Sequence, residues 1–222
     1  MNTHPMLFNS AMVNALLRGD KTQTRRIMKP QPFDVDSCDG VALLSESNSE
    51  ESKLIGQAPF IPPFGNEGDL IWVRETFQGP LFDQELESQY IENKSQFKTP
   101  EYCVYAATDP KPDFYDVNSE KTVCRWRPSI HMPRWASRLT LRITDVHIEH
   151  LQDISEQDAI AEGCDNAKSE ATEAIGWYEK PCRAFRRVWE STGADWNANP
   201  WVWVYQFEVI LANVDTLIKE AA

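Results

Sequence analysis

The chain has 222 residues, enough for one domain with elaborations or two small ones. Hydrophobic residues make up 41% and aromatics 11%, which excludes a globally disordered chain. Asp and Glu number 34 against 22 Lys and Arg, a net charge of −12, which excludes tight sequence-independent gripping of duplex nucleic acid. No apolar run reaches the length of a transmembrane helix, and Met1–Ser10 has no signal-peptide pattern, so a cytoplasmic protein without a membrane partner is expected. The five cysteines are odd in number and form no C-x-x-C pair, which argues against a zinc ribbon, a redox motif or a disulfide framework. No metal or cofactor is expected.

In chain order, Asn9 or Ser10 caps a helix over Ala11–Arg18, and Gly19 stops it. Residues 31–64 lack periodicity and read as a long loop or insertion. Leu70–Phe77 and Tyr102–Ala107 read as strands, and residues 109–121 read as a loop. Arg138–Ile148 alternates apolar and polar residues, with a phase slip at Asp145 that reads as a bulge. Ser155-Glu-Gln-Asp158 is a capping box opening a helix through Glu162, ended by Gly163. Pro181 opens an amphipathic helix that ends before Gly193. Trp201–Ile210 is the clearest strand, and 213–222 reads as a short frayed helical tail. Short strands, few helices and no βαβ rhythm give an α+β class: a small β-barrel with flanking helices.

Charge is uneven. Residues 1–30 carry Arg18, Lys21, Arg25, Arg26 and Lys29 against Asp20 alone. Residues 125–144 carry five arginines and no acid, while 145–175 carry nine acids against Lys168. The islands either form a local anion site or pair with the acidic stretches. In an extended segment Lys21, Gln23 and Arg25 share one face and Thr22, Thr24 and Arg26 the other, so Lys21 meets Thr24 only if the chain turns after Gly19.

Gly19, Lys21, Thr24 and Arg26 fit G-x-K-x-x-T-x-R, and the segment resembles the signature of the ASCH domain, a relative of the PUA barrel. Gly68–Glu75 is similar to the family's G-D-x-h-x-V strand, Ile154–Gly163 to its pocket helix, and Trp203–Val209 to its closing strand. The resemblance covers roughly residues 7–30, 65–77, 138–164 and 183–210, and implies one domain over 1–212 with insertions at 31–64 and 78–125. Trp126–Trp135 and Asn199–Trp203 resemble the ASCH proteins of phages and prophages.

The resemblance implies a cleft directed at a nucleoside or short single-stranded RNA. In one small bacterial branch it implies an amidohydrolase that deacetylates N(4)-acetylcytidine. By motif match its catalytic residues fall on Lys21, Thr24 and Glu162, with Arg26 supporting. Lysine as base, threonine as water-orienting or oxyanion donor and glutamate as acid suit amide hydrolysis. Glu75 is either an inward partner of Lys21 or Arg26, or a surface residue. Arg127, His131 and Arg134 are candidate ligand contacts in the arginine-rich loop, where Trp126 and Trp135 offer stacking. His147 and His150 fall on opposite faces of a strand and share no metal. Three alternatives stand beside the hydrolase: a non-catalytic RNA or modified-base binding module, a phage interaction protein and a ribonuclease.

Overall fold

A computed structural model describes residues 1–31, 34–35, 41–43, 57–59, 61–109, 114–116, 121–123, 125–164 and 179–220. Helix α1, Ser10–Arg18, starts at Asn9, whose side chain accepts from Met12 N at 2.9 Å. It ends where Gly19, at φ 75°, adopts the left-handed conformation that closes a helix. The strands are β1 (Thr3–Leu7), β2 (Gln23–Ile27), β3 (Asp34–Val35), β4 (Val41–Leu43), β5 (Gln57–Pro59) and β6 (Leu70–Arg74). Next come β7 (Phe77–Gln78), β8 (Val104–Tyr105), β9 (Phe114–Asp116), β10 (Lys121–Val123), β11 (Thr140–His150) and β12 (Trp201–Ile210). Helix α2 spans Glu87–Glu92, α3 Glu156–Ala161, α4 Pro181–Ser191 and α5 Val214–Glu220.

The main sheet has five strands in the order β1-β6-β11-β12-β2. β1 runs parallel to β6, β11 antiparallel to β6, and β12 antiparallel to β2. Among the described residues the sheet does not close into a barrel. The fold class is therefore mixed α and β, a five-stranded sheet with flanking helices. Among the described residues no helix is long and apolar enough to cross a membrane.

Several predicted elements differ in extent. The strand expected over Leu70–Phe77 stops at Arg74, because the Glu75 N–H leaves the ladder for Met132 Sδ at 3.3 Å. Phe77 then opens β7, which pairs with β8. The strand expected over Tyr102–Ala107 shrinks to Val104–Tyr105, because Pro100–Tyr102 forms a 3-10 turn. β11 runs through Asp145 as one strand, Thr140–His150. The segment 31–64 includes β3, β4 and β5, an antiparallel trio, and its remaining residues up to 60 lie mostly outside those described. Within 109–121, β9 pairs with β10. β1 escapes the sequence reading because His4 and Pro5 break any apolar alternation. Pro5 is tolerated because β1 is an end strand of the sheet.

The chain divides into two compact units. Unit one comprises Met1–Gly19, Gly68–Ile143 and Glu208–Ala222, and unit two Asp20–Glu67 and Thr144–Phe207. Unit one buries Met6, Val13, Leu16, Leu70, Ile71, Leu139 and Leu141, with a satellite cluster of Phe77, Tyr105, Met132 and Ala136. Unit two buries Ala159 of α3, Ala184, Phe185 and Trp189 of α4, and Val202 and Val204 of β12 in one cluster. Each large side chain so buried contributes roughly 1.5–3 kcal/mol. The two helices thus cover the Val202–Val204 side of β12 and place the end of α3 beside β2.

Candidate active site

Everything in the site belongs to unit two and begins with the pleat of β2. Gln23 pairs with Gln206, Thr24 with Tyr205, Arg25 with Val204, and Arg26 with Trp203. Paired residues share a face, so Gln23 and Arg25 lie on the helix-covered side with Val204. Thr24 and Arg26 lie on the other side with Tyr205 and Trp203.

Before β2 the chain is held against the end of α3. Thr22 N–H donates to Ala161 O at 2.8 Å, and Lys21 and Glu162 form an isolated antiparallel bridge. The capping box predicted at Ser155 is present: Asp158 N donates to Ser155 Oγ at 3.1 Å, and Ser155 N to Asp158 Oδ2 at 3.2 Å. It aims α3 so that Glu162 becomes the C-cap, with Gly163 at φ 87° turning the chain away.

The Lys21 side chain is fully buried. Its ammonium donates to Glu162 Oε2 at 2.6 Å, Glu162 O at 2.9 Å and Gln23 O at 2.8 Å. One cation therefore meets both the carboxylate and a terminal carbonyl of α3, where the helix dipole is negative. The ammonium thus offsets the negative charge that Glu162 places at the helix C-terminus. Burial pulls the Lys21 pKa below the ordinary lysine value, and Glu162 opposes that shift.

Arg25, whose side chain is also fully buried, holds the other Glu162 oxygen: Nη1 lies 3.2 Å from Oε1. Its Nε and Nη2 both lie 2.7 Å from Glu149 Oε1, and Nη2 is 3.8 Å from Asp158 Oδ2. The guanidinium sits 5.8 Å from the Phe185 ring centroid. Glu149 continues the chain of charges outward, with Oε2 4.0 Å from His147 Nε2 and His147 Nδ1 2.7 Å from Asp145 Oδ2.

Arg26 is half-buried, and burial lowers its pKa while the charges of Glu162 and Tyr205 oppose that shift. Tyr205 is fully buried, accepts from Phe64 N at 3.2 Å, and has its pKa pushed up to about 12 by burial. Beside this cluster lies an open depression of about 320 Å3. It is lined by Thr22, Gln23, Thr144, Gln157, Asp158, Ala161, Gln206 and Phe207.

The fold thus joins Lys21 to Glu162, as the motifs suggested, and brings Arg26 within electrostatic reach of both. Thr24 is buried on the opposite face from Gln23 and Arg25, and the three Lys21 donors go elsewhere. Glu75 lies in unit one and is not a surface residue. It is buried and binds Arg138 through both oxygens at 2.9 and 3.0 Å. Arg138 also stacks 4.0 Å from the Tyr105 ring centroid. Burial raises the Glu75 pKa against the pull of Arg138. Arg127 and His131 are exposed in unit one, and Arg134 bonds Thr3 Oγ1 at 2.6 Å and Asp215 at 2.7 Å. Trp126 and Trp135 are half-buried, and Trp135 packs on the satellite cluster.

Arg25, Glu149 and Asp158 are the site residues the motifs pass over. The signal for them is the opposition of the basic segment 18–29 and the acidic segment 145–175, which points to pairing without naming the pairs. Comparison of the chain with family models, curated proteins and solved structures finds no match.

Proposed function

We propose that the chain is an ASCH-type, PUA-like protein with a nucleoside-directed site, and that Lys21 and Glu162 are the acid–base pair of an amidohydrolase acting on N(4)-acetylcytidine-like substrates. One observation carries this reading. Two residues chosen on motif alone, separated by 141 positions, meet at 2.6 Å in a buried site.

In the proposed reaction the pair works with a single shared proton. Its transfer from the Lys21 ammonium to Glu162 leaves a neutral amine and a carboxylic acid, the direction that burial favours. The amine takes a proton from water as the oxygen attacks the acetyl carbon, and Glu162 protonates the departing exocyclic nitrogen as the C–N bond breaks. Acetate and cytidine leave. With these two transfers the pair is again an ammonium and a carboxylate, and the acetic acid formed releases its proton to solvent as acetate. Arg25 and Arg26 supply positive charge near the carboxylate, and no step is given to Thr24, which lies on the strand's other face.

The test is mass-spectrometric turnover of N(4)-acetylcytidine and a panel of acylated nucleosides. Wild type is expected to release the free nucleoside. Lys21→Ala and Glu162→Gln, shown to be folded by circular dichroism, are expected to be at least ~100-fold slower, as for loss of a general acid or base. Equal rates for wild type and Lys21→Ala would remove the mechanism.

A second reading has its own support. All three Lys21 donors are satisfied within the fold and the side chain is fully buried, as in a static structural pair. The domain would then bind a modified base or short single strand without turning it over.

A further inference from the structure

The Lys21–Glu162 pair is not closed on itself. Different cations hold the two oxygens of the Glu162 carboxylate: Lys21 Nζ holds Oε2 at 2.6 Å, and Arg25 Nη1 holds Oε1 at 3.2 Å. Arg25 uses one corner of its guanidinium there. Its Nε donates to Glu149 Oε1 at 2.7 Å, and Nη2 lies 2.7 Å from the same oxygen. One planar cation thus spans two carboxylates, one from β11 and one from the end of α3. Its carbon lies over the Phe185 ring of α4, 5.8 Å from the centroid.

Exposure along this chain of contacts is graded. The Lys21 and Arg25 side chains are fully buried, Glu162 is 4% exposed and Glu149 19%. The order from solvent inward is Glu149, Arg25, Glu162, Lys21. The second Glu149 oxygen, Oε2, points toward His147, with Nε2 at 4.0 Å. Asp158 Oδ2 lies farther from Arg25, at 3.8 Å, and is itself bonded by Ser155.

The proposed proton transfers use only one Glu162 oxygen, the Oε2 that faces Lys21. The terminal torsion of a glutamate is broad, so the side chain by itself does not fix which oxygen that is. Arg25, bonded to Oε1, fixes it. A guanidinium suits the task because its N–H groups point in set directions within one plane, whereas an ammonium is a point charge. Arg25 acts through Glu162 and is bonded to the oxygen that takes no part in the transfer.

Resting on the acid–base role proposed for Lys21 and Glu162, we infer that Arg25 is the positioning residue of that pair and that Glu149 is its anchor. Arg25 turns the Glu162 carboxylate so that Oε2 meets Lys21, and Glu149 holds Arg25 in the orientation that does so.

Two variants of the full chain test this. Glu149→Gln keeps an accepting oxygen for Nε at the partly exposed end of the chain, and Arg25→Lys keeps the charge but loses the fork. Both are checked for folding by circular dichroism. The first readout is hydrogen exchange of the Lys21 ammonium by NMR, its resonance assigned by its absence in Lys21→Met. Exchange is compared with that of the β12 amides, which reports opening of the whole unit. Relative to those amides, Nζ exchange is expected to be at least about fivefold faster in both variants, the value of a weakened charge-assisted hydrogen bond. The second readout is turnover of N(4)-acetylcytidine, where kcat is expected to fall about tenfold or more with KM unchanged, as for a misplaced catalytic group. A merely structural Arg25 would lower the urea midpoint and leave Nζ exchange at the wild-type value. Unchanged relative exchange in Glu149→Gln, or wild-type exchange and kcat in Arg25→Lys, would each overturn the assignment. If Arg25→Lys does not fold, Glu149→Gln decides alone. The two proposals fail separately. Turnover that depends on Lys21 but keeps its kcat in both variants sinks the positioning role alone. Faster Nζ exchange in both variants, without turnover by wild type, sinks the hydrolase alone.

Discussion

Removing the Lys21 ammonium would leave the Glu162 carboxylate, whose side chain is only 4% exposed, without its nearest cation. Breaking one side of a buried ion pair costs about 3–5 kcal/mol. Lys21→Met is therefore expected to lower the urea midpoint strongly, and Lys21→Met with Glu162→Gln to recover part of the loss. A double variant no more stable than the single one would mean that Arg25 alone compensates Glu162. Tyr205 gives a second residue-level expectation. The unfolded tyrosine ionises near its ordinary value and the folded one only near 12, so the unfolded chain binds fewer protons in between. Stability must then fall as pH rises through that window. Tyr205→Phe is expected to remove this part of the alkaline loss, and urea melts at about pH 9 and 11.5 with the same difference in both proteins would count against it. At this scale the sequence names Lys21 and Glu162 as candidates. It cannot show that Glu75 answers to Arg138, because that choice is made by the burial of Glu75.

The elements carry their start and stop signals locally, and these were the most legible features. Asn9 and Gly19 bound α1, the Ser155–Asp158 box opens α3, Pro181 opens α4, and β12 runs over Trp201–Ile210 as its apolar pattern indicates. Ser155→Ala is expected to destabilise the protein by about 1 kcal/mol, the ordinary value of a lost N-cap, with the loss read from the urea midpoint. Because α3 delivers Glu162 to Lys21, the same change is expected to slow turnover; an unchanged rate would mean the pair holds the helix and not the reverse. Burial would raise the Asp158 pKa, but the Ser155 hydrogen bonds and the charge of Arg25 hold it below the ordinary aspartate value. Its contribution is then present above that ordinary value and lost as pH falls through the folded pKa. Asp158→Asn is expected to flatten the acid limb of the stability curve, and a limb of unchanged slope would contradict the assignment. β1 and the break after Arg74 were not legible, since an end strand with Pro5 and a backbone N–H bound to a methionine sulfur depend on partners distant in sequence.

The whole chain carries a net charge of −12, and among the described residues several arginines meet acids. Arg25 is held by Glu149 and Glu162, Arg134 by Asp215, Arg138 by Glu75 and Arg142 by Glu208. The expected pairing of a basic island with the acidic stretch 145–175 holds for Arg25, while Arg134, Arg138 and Arg142 pair with acids outside that stretch. Duplex DNA is accordingly expected not to bind in filter assays at about 0.15 M salt, where phosphate contacts are already weakened. Tight binding that falls steeply with added salt would show that the exposed Arg125 and Arg127 matter more than the pairs suggest. Composition and local pattern determined the mixed α and β content, the helix caps and the last strand, because hydrophobic periodicity and capping act over a few residues, whereas Lys21 and Glu162 became candidates through the family resemblance of their motifs. Which acid meets which base was decided only by the tertiary structure. Arg25 and Glu149 lie 124 positions apart, Lys21 and Glu162 141, and Glu75 and Arg138 63, and only packing of the intervening chain sets those distances.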